Sequence, residues 1–190
     1  VEIRAYEPAD LGEVYEICLF TGNGGRGAQH EFDDPMLLGH AFAAPYAALH
    51  PELAFVSVDG EGVSGYVLGA LDTEEFEERL EREWWPPARQ QYPETDNRVV
   101  QHIHHPPRTD LDLVQRYPSH LHVNLLARTR GQGVGAALVD TLLDALAQRG
   151  SRGVHLHVRH HNTHAIGFYR HLGFTEVEST PEKLVFGKLF

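Results

Sequence analysis

The chain has 190 residues, 42% of them hydrophobic, a single cysteine and a formal net charge of −11. That length fits one domain, or one domain with long insertions, and can bury a core without staples. No apolar run approaches the ~20 residues of a membrane span, one cysteine excludes an internal disulfide, and the acidic balance argues against a nucleic-acid binder, which needs a basic face. The opening Val1-Glu2-Ile3-Arg4 has no charged-then-apolar leader pattern, so a cytoplasmic protein is expected. The charge is uneven: residues 1–119 carry 8 Lys+Arg against 22 Asp+Glu, whereas residues 120–171 carry 6 against 2 and hold 8 of the 14 histidines. An anionic ligand at the basic island and a cationic partner near the acidic part fit electrostatically, although a solvated acidic face accounts for the same numbers.

Val1, Ile3 and Ala5 alternate with polar residues and predict a short strand. Asp10 and Glu13 form a capping pattern ahead of Leu11, Val14, Ile17 and Cys18, giving a helix to about Phe20 in which Cys18 reads as a small buried hydrophobe. Thr21 to Gly27 is a glycine-rich loop; it follows a helix and so lacks the strand-to-helix setting of a phosphate loop. A second helix is expected from Met36 to Leu49, broken near Pro45. Leu53–Val58 and Val63–Leu71 around Asp59-Gly60-Glu61-Gly62 predict a hairpin. The acidic run Asp72–Glu83 predicts a helix that Trp84-Trp85-Pro86-Pro87 ends. Residues 86–118 hold two short possible helices, around Pro86–Tyr92 and Arg108–Tyr117, with His102, His104 and His105 in a proline-bounded loop. The whole stretch 72–118 is expected as an insertion within a single domain spanning 1–190.

The last third is more regular. A strand His120–Ala127 precedes a helix Gly133–Gln148 whose Val134, Ala137, Leu138, Thr141, Leu142, Ala145 and Leu146 share one face, closed by Gly150. A strand 153–159 follows, then a helix capped by Asn162 and closed by Gly173, then strands at about 174–179 and 184–189. Between the first of these strands and its helix lies Arg130-Gly131-Gln132-Gly133-Val134-Gly135-Ala136. Glycines let a backbone approach a ligand closely. The free N–H groups of a helix start and the positive end of its dipole bind anions. Arg128 and Arg130 add full charges. An ordinary glycine-rich turn fits these residues equally well on their own, and the spacing matches neither the Gly-x-x-x-x-Gly-Lys-Ser/Thr loop nor the dinucleotide fingerprint. His155, His157, His160, His161 and His164 have no accompanying cysteines, and His-x-His alone does not fix a metal site, so no metal is expected.

Arg130-x-x-Gly133-x-Gly135 resembles the Arg/Gln-x-x-Gly-x-Gly/Ala signature of the GNAT acetyltransferases. A second GNAT motif follows at the expected distance: a strand ending at Val158, then Asn162, Ala165, Phe168, Tyr169 and Leu172-Gly173-Phe174. Ser151-Arg152-Gly153-Val154, Tyr117-Pro118-Ser119, the Trp84-Trp85-Pro86 region and Gly62–Leu71 further resemble the acetyltransferase-like C-terminal domain of O-GlcNAcase. In animal members of that group the phosphate-loop signature is degraded; here it is intact. The resemblance implies an α/β (α+β) fold with a mixed central sheet of about six or seven strands, a splayed parallel pair and flanking helices. It implies acetyl-CoA as cosubstrate, with the pantetheine arm paired along Leu125, Leu126 and Ala127 and the pyrophosphate held by backbone N–H groups of Arg130, Gly131, Gln132, Gly133, Val134, Gly135 and Ala136. Asn162, Ala165 and Phe168 would contact the arm or the adenosine end.

The implied reaction is acetyl transfer to a primary amine, with Tyr169 as the acid towards the departing thiolate. His122 and Asn124, on one face of the strand before the phosphate loop, are the candidates at the amine side. His122 has the intrinsic pKa for a base; Asn124 stands where the O-GlcNAcase-like group is expected to have an aspartate, and an amide cannot be a base. A hydrogen-bonded histidine within a sheet is the competing reading for His122, and core packing the competing reading for Tyr169. The acidic first part suggests a cationic acceptor, whether a small amine or a protein amine. Trp84 and Trp85 are read as core or subunit interface, with the lining of an acceptor pocket as the competing reading, and a homodimer is compatible with the family. The second functional reading is a module that holds acetyl-CoA or a protein partner without turnover.

Overall fold

The computed structural model describes all of residues 1–190. Seven strands form one sheet: β1 (Glu2–Ala5), β2 (Ala54–Asp59), β3 (Gly62–Ala70), β4 (Ser119–Leu125), β5 (Gly153–Arg159), β6 (Thr175–Ser179) and β7 (Lys183–Leu189). They lie in the order β1-β2-β3-β4-β5-β7-β6. Every neighbouring pair is antiparallel except β4–β5, which is parallel and pairs only at Ser119↔Val154 and His120↔His155. Beyond those two positions the strands part, giving the mixed sheet with a splayed parallel pair.

The helices are α1 (Leu11–Gly25), α2 (Leu37–Phe42), α3 (Ala44–Leu49), α4 (Thr73–Arg79), α5 (Trp85–Gln91), α6 (Arg98–His104), α7 (Leu111–Arg116), α8 (Val134–Gln148) and α9 (Thr163–His171). Helices α1 to α6 cover one face of the sheet, where Ile17, Val56, Tyr66, Leu68, Phe76, Trp85 and Ile103 are almost fully buried. Helices α8 and α9 cover the other face, over Val67, Leu121, Leu156 and Phe186. Of the stripe foreseen for α8, Val134, Leu138, Leu142, Ala145 and Leu146 are buried, while Ala137 is exposed and Thr141 half-buried. Leu138, Leu142 and Leu146 have no exposed surface, which stabilises the fold by about 1.5–3 kcal/mol per side chain. Gly69 makes that packing possible, because a Cβ there would stand 2.8 Å from Leu142 Cδ1. No helix is long and apolar enough to cross a membrane.

Two expectations need correction, both between β3 and β4. The acidic helix does not end at Trp84-Trp85. It passes through a π turn, Leu80–Trp84, directly into α5, and Trp85 keeps helical angles of φ −66° and ψ −35° although a proline follows. Pro86 and Pro87 bring no N–H to the preceding turn; there the helix has widened, Trp85 N–H reaching the Leu80 carbonyl, and burial of Trp85 holds the continuation in place. The stretch expected as a loop with three histidines contains α6, capped by Asn97, whose side chain accepts from Val99 and Val100 N–H. Its Val99, Val100 and Ile103 are buried. The α1 helix, by contrast, loses its helical geometry where foreseen: Gly22 is extended, and Asn23 and Gly24 have φ of 52° and 65°.

Candidate functional site

The parting of β4 from β5 opens a groove lined by Leu121, Val123, Leu156, Val158, Asn162, Ala165 and Tyr169. Leu126 N–H donates to the Ser64 carbonyl of β3. Ladder alternation then turns the backbone groups of Leu125 and Val123 away from β3 and into the groove. An extended amide-bearing ligand can therefore add to β4 there as a strand would. The Leu125 carbonyl accepts from Arg130 Nε at 3.2 Å, a donor that such a ligand would replace. Leu126 differs from the expectation: its N–H serves Ser64 and its carbonyl accepts from Thr129, so it offers a ligand only van der Waals contact. Ala127 keeps its N–H free, while its carbonyl accepts from Arg130 N–H.

At the end of the groove the chain makes the turn into α8. Gly131 and Gly133 have φ of 74° and 79°, a left-handed geometry that a side chain would strain. None of the six amide N–H groups from Gly131 to Ala136 donates a hydrogen bond within the protein. Gly131, Gln132 and Gly133 are exposed. Six open donors at the start of a 15-residue helix form a cradle for a diphosphate. Gly135 lets Phe168 and Leu125 close in on that turn, since a Cβ there would meet Phe168 Cζ at 3.2 Å and Leu125 Cδ1 at 3.3 Å. Arg130 is exposed and free to swing to a phosphate. Arg128 is not: its Nε pairs with Asp59 at 2.8 Å and its guanidinium also reaches the Val63 carbonyl. Asn162 spends its Oδ1 on capping α9 through Ala165 N–H, and its amide nitrogen alone remains for a ligand.

On the other side of β4 the groove joins a cavity of about 800 Å³. Helices α4 to α7 build its outer wall with Phe76, Trp85, His102 and Leu113; the loop Thr21–Gly25 and Tyr46 of α3 form another side; and β4 and β5 contribute His120, His122, Asn124, His155 and His157. The side chain of Trp85 is thus core on one edge and cavity wall on the other. Cys18 also touches the cavity, but burial pushes its thiol up to about 11, which leaves it protonated and inert.

Tyr169 stands in the groove, 6% exposed, packed between Phe168, Phe174 and Phe186. Its hydroxyl has no protein partner, and burial holds its proton more firmly than in a free phenol. The ring is core, as the packing reading expected, and the hydroxyl is left without a partner beside the groove. Asn124 donates from Nδ2 to Thr21 Oγ1 at 2.5 Å, and Thr21 donates in turn to the Ile17 carbonyl. This fixes the amide plane and leaves Oδ1 to accept from whatever enters the cavity. His122 meets Tyr46 Oη through Nε2 at 2.9 Å, while its Nδ1 has no partner. His120 meets the same hydroxyl through Nε2 at 2.8 Å and Thr73 Oγ1 through Nδ1 at 2.8 Å. Three of the seven carboxylates between Asp72 and Glu83 are paired with arginines. Glu77 faces Arg108, Glu81 faces Arg89, and Glu83 faces Arg79 and Arg82.

Desolvation lowers the histidines around the cavity, most firmly the buried His155. His122, to about 4, and His157, to about 3, move the same way but keep an edge in contact with solvent, as His102 and His120 do in part. The neighbouring histidines and Lys183 add to the effect. An unfolded histidine takes its proton near pH 6.5 while these folded ones resist it, so below that pH the unfolded state binds more protons. The histidine contribution is therefore expected to be constant above about pH 6.5 and to fall as pH drops towards 4. Protonation of carboxylates held low by their partners, Asp10 and Asp59 among them, continues the loss at lower pH. Urea unfolding across this range should show a proton uptake greater than one; a flat profile would mean that these rings are not held neutral.

Residues 28–174 match the model of the Acetyltransferase (GNAT) family. The chain belongs to the GNAT acetyltransferase family. The crystal structure of SsHAT is 39% identical with a TM-score of 0.93, covering 99% of this chain and 97% of SsHAT. Protein O-GlcNAcase of Rattus norvegicus is 27% identical over 198 residues, which take up 96% of this chain and 21% of that protein; this GNAT chain thus spans about a fifth of the length of the O-GlcNAcases it matches. Naa20 of Chaetomium thermophilum, solved with a bisubstrate analogue, shares the GNAT fold at 22% identity and a TM-score of 0.56. Tyr46, Thr73 and the Arg128–Asp59 pair belong to the site's surroundings but carried no signal in the sequence, because each acts across a long chain separation.

Proposed function

We propose that this protein transfers the acetyl group of acetyl-CoA to a primary amine. The observation that carries the reading is the run of six unpartnered N–H groups from Gly131 to Ala136 at the head of α8, continuous with the strand-like groove between β4 and β5. Acetyl-CoA supplies a thioester, whose carbonyl carbon accepts the amine nitrogen and whose sulfur leaves. The residues that fit it are Arg130 to Ala136 for the diphosphate, Leu125 and Ala127 for the pantetheine amides, and Ala165 and Phe168 for its apolar flank.

The protein's own groups then have four tasks. Backbone N–H groups on the groove side of β4, at Val123 and Leu125, stand where they can donate to the oxygen on which charge develops. Asn124 Oδ1 accepts an N–H of the amine and orients its lone pair. His122 Nδ1 takes the proton that the nitrogen sheds once the C–N bond forms. Tyr169 donates its proton as the C–S bond breaks; the burial that strengthens its hold on that proton also raises the proton affinity of a thiolate in the same groove, so the two stay matched. Around His122 the cavity wall offers neutral imidazole, amide and phenol groups, while Glu77, Glu81, Asp110, Glu178 and Glu182 also line the cavity. The amine has to reach His122 and Asn124 with its lone pair free.

The reading is tested by release of free CoA from acetyl-CoA across a panel of small amines and lysine- or N-terminus-bearing peptides. Amine-dependent release is expected from at least one class. Tight acetyl-CoA binding with no release from any amine favours the second reading, a module that holds the ligand without turnover. That alternative draws on the match to O-GlcNAcase, in which this region is a fifth of a larger protein.

A further inference from the structure

We propose that Thr73, His120 and Tyr46 form a positioning chain that holds His122 in the tautomer protonated on Nε2, with the Nδ1 lone pair open to the cavity. This rests on the acetyl-transfer reading only in the use it assigns to that lone pair. The direction of every bond follows from its fixed end. The Pro118 carbonyl can only accept, and Thr73 Oγ1 donates to it at 2.8 Å. The threonine proton is thereby spent, so Thr73 Oγ1 accepts from Nδ1–H of His120. His120 is shut in by Tyr46, Phe76, His122 and His155, and a cation there would face other imidazoles with no carboxylate in contact. It is neutral, and its Nε2 is an acceptor. The single proton of Tyr46 Oη goes to that nitrogen. Tyr46 Oη then accepts from Nε2–H of His122, and a neutral His122 keeps its lone pair on Nδ1.

The geometry is supported from two elements outside β4. Tyr46 lies on α3, stacked on Phe76 at 4.5 Å between ring centroids. Thr73 opens α4, and its own N–H also donates to the Pro118 carbonyl at 2.8 Å. His155 is separately oriented, donating from Nδ1 to the Tyr117 carbonyl at 2.8 Å, so it does not compete for Tyr46. Without the chain, the two tautomers of His122 would interconvert, and a fraction of the molecules would present an N–H where the amine proton must go. Thr73, His120 and Tyr46 are positioning residues; only His122 touches the acceptor.

The test is long-range 1H–15N NMR of the full chain labelled with 15N-histidine, at neutral pH and without ligand, in wild type, Thr73→Val, Thr73→Ser and Tyr46→Phe. Wild type and Thr73→Ser should show His122 protonated on Nε2 alone. Thr73→Val and Tyr46→Phe should show averaged or Nδ1-protonated His122. A wild-type His122 protonated on Nδ1, or one unchanged in both disrupted variants, would overturn the proposal. These spectra decide the chain whether or not any amine is acetylated. Where transfer is measurable, Thr73→Val should lower kcat by roughly 2–10-fold, the inverse of the competent tautomer fraction, with KM for acetyl-CoA unchanged, and Thr73→Ser should restore it. Equal loss in Val and Ser variants would assign Thr73 a purely structural role.

Discussion

Replacing Tyr169 by Phe is expected to lower amine-dependent CoA release by about 10²–10⁴-fold, the usual worth of a positioned general acid, while acetyl-CoA affinity stays within about twofold. The argument is one of geometry and of burial. The ring is packed on three aromatic neighbours and stays in place when only the hydroxyl is removed. The hydroxyl makes no hydrogen bond to the protein, so its loss leaves no orphaned partner and little change in stability. What disappears is the proton that the thiolate needs as it leaves. The variant should therefore separate kcat from binding: steady-state kinetics with a saturating amine, beside calorimetry for acetyl-CoA. Turnover unchanged in Tyr169→Phe would return Tyr169 to the core and leave the thiolate to be protonated from solvent.

Replacing His122 by Ala is expected to cost a similar factor, about 10²–10⁴ in kcat, with acetyl-CoA affinity again preserved. The wild-type pH profile should carry its signature. Desolvation lowers His122 to about 4, so the ring is an acceptor throughout the neutral range. Activity on a weakly basic amine should fall only as pH drops through about 4, where His122 takes up a proton and loses its lone pair. For a more basic amine, the rise of activity with pH should instead follow deprotonation of the amine itself. The acidic limb near 4 should vanish in His122→Ala. A variant within threefold of wild type, with the limb intact, would show that proton removal runs through another group.

The sequence made the two ends of the site legible to different degrees. Arg130 to Ala136 could be read because a glycine-rich turn and the helix it starts are local: spacing, glycine content and the stripe of α8 sit within twenty residues. The parallel pair came with the resemblance, whose two motifs sit on the stretch β4, α8, β5 and α9. The acceptor side could not. Its walls come from α3, α4, α5 and α6, and the bonds that define it span long separations, 76 residues for Tyr46–His122 and 103 for Asn124–Thr21. Local rules also misjudged the stretch between β3 and β4. The prolines after Trp85 predicted an end, but burial of that ring carries the helix through a π turn instead. The charge count could not say which carboxylates are paired: Glu77 and Glu81 meet Arg108 and Arg89 across 31 and 8 residues of chain.

Calorimetric titration with acetyl-CoA, of wild type beside a Gly133→Glu/Gly135→Glu variant shown by circular dichroism to be folded, tests the central claim most directly. Gly133 has the positive φ that only glycine adopts freely, and Gly135 is where Phe168 and Leu125 close on the turn; two carboxylates there also repel a diphosphate. Saturable binding at a 1:1 ratio by the wild type, lost in the folded variant, is the predicted result. No heat of binding by the wild type, or equal affinity in both proteins, would contradict the assignment of the Gly131–Ala136 cradle and the β4–β5 groove to acetyl-CoA.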